Sequence, residues 1–264
     1  MKAALHGDRG GVTMFGASLH AGRLLKLPRR RGTIPRAQVP SLFLDALKQP
    51  HLLIAGATGS GKSVVINGLV YALLHRPARD ESGGALLILV DPKRVELSAY
   101  RRTPHCIHYA SEPDTMLQAL QAAMQLCEDR YRAMQRQGVK KYGGADCYVI
   151  IDELADLMTT QKRDVLPLLQ RLAQIGRAAR VHLIAATQTP ISKVMPTELK
   201  CNFDARIGLR TRSAQDSRNI IGRRGLELLP RYGQAYFMAP EGEALYNVPM
   251  IPDADIDAII AFWT

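Results

Sequence analysis

The sequence predicts an α/β protein in which helices flank a mainly parallel sheet. Short, continuously apolar segments recur along the chain, as is typical of strands that are buried on both faces. Between them lie segments with apolar residues at three- and four-residue steps, as is typical of amphipathic helices. Strands that alternate with helices in this way favour a parallel arrangement. A hydrophobic content of 47% over 264 residues is sufficient for such a core.

The predicted strands and helices alternate along the chain. The first strand covers residues 52–55, and a helix follows from about residue 61 to residue 74. Further strands are predicted at residues 86–90, 147–151, 181–187, 203–209 and 234–238, and residues 246–250 are expected to pair with the last one as a hairpin. Further helices are predicted at residues 113–137, 164–179, 213–221 and 253–263. Ser111 or Asp114 is expected to cap the first of these, and Pro167 fits the first turn of the second.

The chain is expected to divide at about residue 40. Residues 1–40 contain a basic run, 29–31, that lies between two prolines, so no continuous helix crosses this segment. The segment is predicted to be a basic arm that contacts a phosphate backbone or, more simply, a solvated linker or small partial domain with a few short strands. Residues 41–264 are predicted to form the main α/β domain.

A glycine-rich loop follows the first predicted strand. Gly56, Gly61, Lys62 and Ser63 match the pattern G-x-x-x-x-G-K-[ST] in the strand–loop–helix context that this pattern requires. Glycines let backbone N–H groups surround phosphate oxygens, and the following helix points its positive end at the same anion. Lys62 is expected to reach the β- and γ-phosphates of ATP, and Ser63 to ligate Mg²⁺. The residues predicted to bind the nucleotide are Gly56, Ala57, Thr58, Gly59, Ser60, Gly61, Lys62, Ser63 and Val64.

Three polar residues that follow later strands complete the predicted catalytic site. Asp152 and Glu153 come directly after the strand at residues 147–151. Asp152 is expected to hold magnesium through water, and Glu153 to polarise the water that attacks the γ-phosphate. Gln188 follows the strand at 181–187, which is expected to lie beside the first strand, so its carboxamide can sense the γ-phosphate. The simpler alternatives are an exposed acidic turn and a solvated amide.

The charge of the chain predicts a polyanionic partner. The formal net charge is +11, and in combination with the ATP-binding motif it favours nucleic acid. No apolar run has membrane-spanning length and the first residues lack a secretion signal, so a cytoplasmic location without membrane insertion is predicted. The cysteines at positions 106, 127, 147 and 201 have no C-x-x-C spacing, which favours reduced packing groups over a zinc site.

Several stretches of the sequence resemble the motor domain of the FtsK/SpoIIIE family of double-stranded DNA translocases, within the RecA-like P-loop ATPases. The stretches are residues 51–63, 91–100, 128–131, 151–158, 171–179, 186–188 and 216–218, and the resemblance covers roughly residues 48–264. It implies a RecA-like core that hydrolyses ATP with magnesium. It also implies a hexameric ring with duplex DNA in its pore and ATP at the subunit interfaces.

The resemblance also implies roles for basic residues. Arg177 stands where the family has an arginine that acts on the γ-phosphate of the neighbouring subunit, and Arg180 is the second choice. Lys200 and Arg218 match basic positions of the family's DNA-contacting loops, and Arg210 and Arg212 lie near them. Such contacts would meet phosphates and bind DNA without sequence preference. For each residue, a solvated charge is the simpler alternative.

The sequence departs from the family pattern in several places. Thr189-Pro190 stands where Arg-Pro is usual, and Ala214 occupies a usually basic position. The segment between Lys62 and Asp152 is shorter than in chromosomal members, and neither an N-terminal membrane region nor a C-terminal winged-helix domain is expected. These departures favour a compact translocase of a plasmid, phage or integrative element. A conjugative coupling or DNA-packaging ATPase stays open, as does an ATP-binding scaffold that recruits DNA-processing proteins.

Overall fold

The computed structural model describes residues 39–188 and 194–264 of the chain. Most of the predicted N-terminal segment, residues 1–40, lies outside the described residues, and so do Thr189 and Pro190. From residue 39 onward, the described residues belong to one compact unit. The predicted division at about residue 40 stays a prediction. None of the described helices is both long enough and apolar enough to cross a membrane.

The strands of the described residues form one mixed sheet. They are β1 (His51–Ala55), β2 (Ala85–Val90), β3 (Cys106–Ala110), β4 (Asp146–Ile151), β5 (Val181–Thr187), β6 (Ala205–Gly208), β7 (Gln234–Ala239) and β8 (Gly242–Asn247). Their order in the sheet is β3-β2-β4-β5-β1-β6-β7-β8. Neighbouring strands from β3 to β6 run parallel, whereas β7 and β8 are added antiparallel. The prediction of a mainly parallel sheet is therefore confirmed.

Helices cover both faces of this sheet, as predicted. In the described residues they are α1 (Ser41–Leu47), α2 (Lys62–Leu74), α3 (Pro113–Gln137), α4 (Leu154–Thr160), α5 (Lys162–Ala179), α6 (Thr197–Lys200), α7 (Ala214–Ile221) and α8 (Asp253–Trp263). One apolar layer contains side chains of α3, α4, α5, α6 and α7, and the other contains side chains of α1, α2 and α8.

β1 illustrates why the strand sequences are continuously apolar. Leu53 and Ala55 belong to the layer that includes α3 and α5, whereas Leu52 and Ile54 belong to the layer that includes α1 and α2. Side chains alternate between the two faces of a strand, so a strand covered on both faces needs an apolar residue at every position. The same burial on both faces explains the apolar runs of β2, β4 and β5.

Four of these strands and helices have no counterpart in the sequence prediction: β3, α1, α4 and α6. Among the described strands β3 pairs with β2 alone, and its middle residues Ile107 and His108 are exposed, so its sequence lacks a continuous apolar run. α1 and α4 each have seven residues and α6 has four, which is too short for a clear helical period. Edge position and short length thus account for these omissions.

Three predicted details are wrong. The N-cap of α3 is Glu112, whose backbone N–H donates to Thr115 Oγ1 at 3.0 Å, and neither Ser111 nor Asp114 takes this position. α5 begins at Lys162, so Pro167 lies inside the helix and not in its first turn. The second hairpin strand covers Gly242–Asn247 because the chain turns directly after β7 and pairing restarts at Gly242 (φ +148).

The parallel strands create two edges with different roles. We call the edge at which β1, β2, β4, β5 and β6 end the carboxyl edge, and the opposite one the amino edge. β1 lies between β5 and β6, as predicted for β5, and β4 lies next to β5. The loops that follow β1, β4, β5 and β6 therefore meet at the carboxyl edge, where ligands bind in open α/β sheets.

Candidate nucleotide-binding site

The loop between β1 and α2 has a backbone that requires glycine at three positions. Gly59 (φ +70) and Gly61 (φ +101) adopt left-handed conformations that other residues rarely reach. A Cβ atom on Gly56 would lie 2.6 Å from Ser60 Oγ and 2.7 Å from Leu209 Cβ, so this position is closed to side chains. The loop is therefore held in one narrow shape between β1 and α2.

This loop fits an anion. α2 begins at Lys62, so its first backbone N–H groups have no partner within the helix and face the loop with the positive end of the helix dipole. The Ser60 hydroxyl is buried without a hydrogen-bond partner. A buried hydroxyl and free N–H groups are costly unless a ligand satisfies them, and phosphate oxygens can do so. The predicted nucleotide-binding residues 56–64 thus form a continuous cradle.

Lys62 lies folded onto this cradle. Its Nζ donates to the carbonyl oxygens of Gly56 at 2.9 Å and of Ala57 at 3.0 Å, and the residue is only 8% exposed. The pKa of Lys62 is lowered to about 8, mainly by burial. The nearby cations Lys93 and Arg212 also lower this pKa, whereas the carboxylate of Glu153 raises it. The charged ammonium is therefore destabilised where it stands, and a bound phosphate would offset this penalty.

Ser63 and Asp152, the two predicted magnesium ligands, both lie near Glu96. The Ser63 hydroxyl donates to Glu96 Oε1 at 2.5 Å. Asp152 is 8% exposed, and burial together with the nearby carboxylates of Glu96 and Asp91 raises its pKa to about 6. Hydroxyl and carboxylate oxygens are ligands that Mg²⁺ accepts, so these residues fit the ion, which would also relieve the repulsion among the carboxylates.

The protein groups alone do not complete a metal site. Within the described residues no group of three or more His, Cys, Asp or Glu side chains could hold a metal ion. Magnesium typically keeps several waters and is bound through one or two carboxylates together with substrate phosphates. Glu96, which lies within a stretch that carries the family resemblance, was given no role by the sequence analysis.

Glu153 is held by three donors at the start of α4. Its Oε1 accepts the backbone N–H groups of Gln188 at 3.1 Å and Ala155 at 3.4 Å, and its Oε2 accepts Lys93 Nζ at 3.3 Å. The residue is 3% exposed, whereas the Lys93 side chain is 41% exposed. These donors restrain the Glu153 carboxylate, and the exposed Lys93 is the side-chain cation among the three. A base in this position is oriented before substrate arrives.

Gln188 connects Glu153 with the glycine-rich loop. Its backbone N–H contacts Glu153, and its side-chain Oε1 accepts the hydroxyl of Thr58 at 2.7 Å. Arg212 also reaches this point, with Nη2 3.5 Å from Thr58 Oγ1. Gln188 therefore lies close enough to the cradle to respond to a γ-phosphate.

The four basic residues predicted to contact DNA lie in three parts of the fold. Arg210 and Arg212 are exposed and follow β6 at the carboxyl edge, next to the glycine-rich loop. Lys200, the last residue of α6, precedes β6 and is partly buried, and burial lowers its pKa with help from nearby Arg206. Arg218 is exposed on α7. The structure therefore does not bring the four side chains into one cluster.

Arg177 and the glycine-rich loop of its own chain lie at opposite edges of the sheet. It is exposed in the last turn of α5, just before β5 begins, and therefore at the amino edge. Arg180, the second choice, donates from Nε and Nη2 to the two carboxylate oxygens of Asp146 at 2.7 and 2.8 Å. Arg180 is thus engaged within its own chain.

Comparison with known proteins shows what this chain resembles. The FtsK/SpoIIIE family model matches residues 30–148 and 145–192. The DNA translocase FtsK of Rickettsia prowazekii (strain Madrid E) is 35% identical over an alignment of 265 residues. The alignment covers 84% of this chain and 35% of that protein. This chain spans about a third of the length of the FtsK relatives it matches.

Two solved structures share the fold. The pCW3 conjugation coupling protein TcpA matches with a TM-score of 0.69 and 24% identity, over 81% of this chain and 65% of that one. The cytoplasmic domain of the Thermomonospora curvata type VII secretion ATPase EccC matches with a TM-score of 0.66 and 24% identity, over 81% of this chain and 28% of that one. The mixed sheet of this chain, with helices on both faces, is thus the fold that these two structures share. Because the family model matches more than half of its length, this chain belongs to the FtsK/SpoIIIE family.

Proposed function

We propose that this chain is the motor module of a ring-shaped translocase that hydrolyses ATP and moves along duplex DNA. The observation that carries the proposal is the connected arrangement at the carboxyl edge, where Thr58 binds Gln188 and the backbone of Gln188 binds Glu153. This arrangement links the nucleotide cradle to the candidate base and to the loop that follows β5. A motor needs such a link, since nucleotide state must change the parts that hold DNA.

ATP binding would rearrange two side chains. Lys62 would leave the carbonyl oxygens of Gly56 and Ala57 for the β- and γ-phosphates. Ser63 and Asp152 would hold the magnesium ion, and Ser63 would release Glu96 to do so. Magnesium, when bound, would neutralise the charge of the phosphates.

Hydrolysis would then depend on Glu153 and Gln188. Glu153 Oε1 is occupied by two backbone N–H groups, so Oε2 is the atom available to accept a proton from the attacking water once Lys93 withdraws. Gln188 would turn its amide from Thr58 to the γ-phosphate, which passes the nucleotide state to the segment after β5.

A ring would complete the site through Arg177. The exposure of Arg177 and its position at the amino edge support a role on the nucleotide of a neighbouring copy, because its own cradle lies at the carboxyl edge. A guanidinium there would neutralise charge that develops on the γ-phosphate. Six copies are the arrangement implied by the family resemblance.

Duplex DNA is the proposed track. The net charge of +11, the exposed Arg210, Arg212 and Arg218, and the names of the FtsK relatives support this partner. The short segment between Lys62 and Asp152 supports a specialised translocase of a plasmid, phage or integrative element. A coupling or packaging ATPase would use the same core with another protein partner, and a scaffold would bind ATP with slow turnover that DNA does not change.

The rate of phosphate release with and without duplex DNA tests the proposal. We expect DNA to stimulate the rate, and we expect Lys62→Ala to abolish it while the protein stays folded. DNA affinity should fall on the order of 1,000-fold between low and moderate salt and should depend little on sequence. Turnover that ignores DNA would favour the scaffold, and a sequence-specific, salt-insensitive footprint would exclude a phosphate-lined pore.

Mixing two inactive variants tests the ring and Arg177 together. Arg177→Ala alone should bind ATP almost normally and hydrolyse it poorly, because its own cradle is intact. Mixed with Lys62→Ala, some interfaces pair an intact cradle with an intact arginine, and these should recover DNA-stimulated hydrolysis. A flat, inactive titration curve, with subunit exchange shown independently, would remove Arg177 from the catalytic residues.

A further inference from the structure

The loop before β7 exposes two large side chains beside an arginine. Leu228 is 80% exposed and Tyr232 is 61% exposed, and both belong to the few large hydrophobic residues with such exposure in the described part of the chain. The guanidinium of Arg231 lies over the Tyr232 ring, 5.2 Å from its centroid. Exposed apolar and aromatic groups that lie together indicate a binding surface.

This loop lies against the nucleotide cradle. β7 runs antiparallel to β6, with Gly208 opposite Tyr236, so the amino end of β7 lies at the carboxyl edge of the sheet. Arg231 Nη2 lies 3.8 Å from the position that a Cβ atom on Gly59 would occupy. The side chain of Arg231 therefore reaches the glycine-rich loop at Gly59.

The two sides of the cradle are filled differently. On the β5 side lie Gln188, bonded to Thr58, and Glu153 with Lys93. These polar groups suit the γ-phosphate and the attacking water. If the γ-phosphate of a bound nucleotide points toward β5, its ribose and base would extend to the other side of β1, where β6 and β7 lie in the sheet. Arg231 and Tyr232 lie on that side.

We propose that Arg231 and Tyr232 bind the base of the nucleotide by stacking. The inference rests on the proposed function, because it takes the phosphates of ATP to lie in the cradle. Aromatic rings and guanidinium planes both stack on a base, and every base has a π-face, so stacking holds a purine without selecting among purines. The pair therefore binds the base of a nucleoside triphosphate through its π-face, with little discrimination between ATP and GTP in binding.

Binding of three ligands tests this assignment on the full chain with magnesium. The ligands are ATP, GTP and inorganic tripolyphosphate, which has the phosphates and no base, and calorimetry measures each affinity. Tyr232→Ala should weaken ATP and GTP on the order of 10-fold or more and leave tripolyphosphate unchanged, and Tyr232→Phe should bind like the original chain. Leu245→Ala removes a similarly exposed (55%) side chain from β8 and should change nothing.

The outcomes separate this inference from the proposed function. If Tyr232→Ala and Arg231→Ala both keep the original ATP affinity, or weaken tripolyphosphate as much as ATP, the base lies elsewhere and the inference is wrong. Lys62→Ala should still weaken all three ligands in that case, which leaves the ATPase proposal intact. If Tyr232→Ala alters only self-association in sedimentation, the loop is a contact between copies and the inference fails. If the original chain binds none of the ligands, the proposed function fails first.

Discussion

The two edges of the sheet both contain buried charges, but the charges have different partners. At the amino edge, Asp146 accepts hydrogen bonds from Arg76 at 2.5 Å and from Arg180 at 2.7 and 2.8 Å, and His182 Nε2 lies 3.0 Å from it. At the carboxyl edge, Asp152 has other carboxylates as its neighbours, and Lys62 binds only carbonyl oxygens.

The pKa values of the two aspartates show what this difference means. Asp146 and Asp152 are almost equally buried, at 9% and 8% exposure. Burial opposes ionisation of Asp146, but hydrogen bonds from His182, Arg180 and Arg76 outweigh it and lower the pKa of its carboxyl well below 3.8. The pKa of Asp152 is instead raised to about 6. Because the two carboxyl groups are almost equally buried, their neighbours account for the difference between them. The ionised Asp146 stabilises the fold, whereas Asp152 is available to a ligand.

The largest expected effect is on stability, at the amino edge. Asp146→Asn leaves Arg76 and Arg180 without their carboxylate, so it should lower the free energy of unfolding by about 3 kcal/mol. Denaturant unfolding measures this change. Asp45→Asn is the control, because its charged partner Lys48 is exposed and such a pair contributes little to stability. Equal effects of the two substitutions would contradict the structural role of Asp146.

At the carboxyl edge the expected effect is on turnover. Glu153→Gln keeps an oxygen that can accept the N–H groups of Ala155 and Gln188, but it removes the base. We expect kcat to fall on the order of 100-fold or more while ATP still binds. ATP affinity and phosphate release, measured on the same preparation, separate the two effects. A variant that no longer binds ATP would make Glu153 a structural residue.

The smallest expected effect is a pH dependence of opposite sign at the two edges. The folded-state pKa of Asp146 is lowered, so its contribution to stability is present above 3.8 and lost as the pH falls below that value. The folded-state pKa of Asp152 is raised, so its ionisation costs stability as the pH rises from 3.8 through about 6. Without nucleotide, Asp152→Asn should therefore be more stable than the original chain near pH 8, by about 1–2 kcal/mol.

Unfolding experiments at several pH values check both signs. The stability difference between Asp152→Asn and the original chain should vanish below 3.8, where the Asp152 carboxyl is protonated in both the folded and the unfolded chain. The difference for Asp146→Asn should shrink over the same acidic range. A nucleotide-free Asp152→Asn protein that is less stable than the original chain near pH 8 would show that this carboxylate supports the fold.

The carboxyl edge was largely predictable from the sequence. Gly56, Gly61, Lys62 and Ser63 form a local pattern, and Asp152 with Glu153 follows a strand that is apolar throughout. A loop that binds phosphate needs particular residue types at fixed spacing, so its chemistry is visible without a fold. The strand that carries Gln188 was also placed correctly beside β1.

The amino edge was not predictable, because its contacts join residues that are distant in sequence. Asp146 meets Arg76, 70 positions earlier, and Arg180, 34 positions later, and no local pattern marks this meeting. From the sequence alone, Arg180 was instead a second candidate to act on the γ-phosphate of the neighbouring subunit. Glu96 and Arg231 were missed in the same way, since their approach to Ser63 and Gly59 depends on the folded loops after β2 and before β7.

The thermal stability of Lys62→Met, with and without magnesium and ATP, tests the comparison of the two edges most directly. Methionine keeps most of the volume of the lysine side chain and removes a charge whose pKa burial has lowered to about 8. Without nucleotide, we expect Lys62→Met to melt at or above the temperature of the original chain. Saturating ATP should stabilise the original chain by about 2.7 kcal/mol at 100 times its dissociation constant, and the variant should show little of this gain. A nucleotide-free Lys62→Met protein as unstable as Asp146→Asn, or one that ATP stabilises fully, would contradict the account.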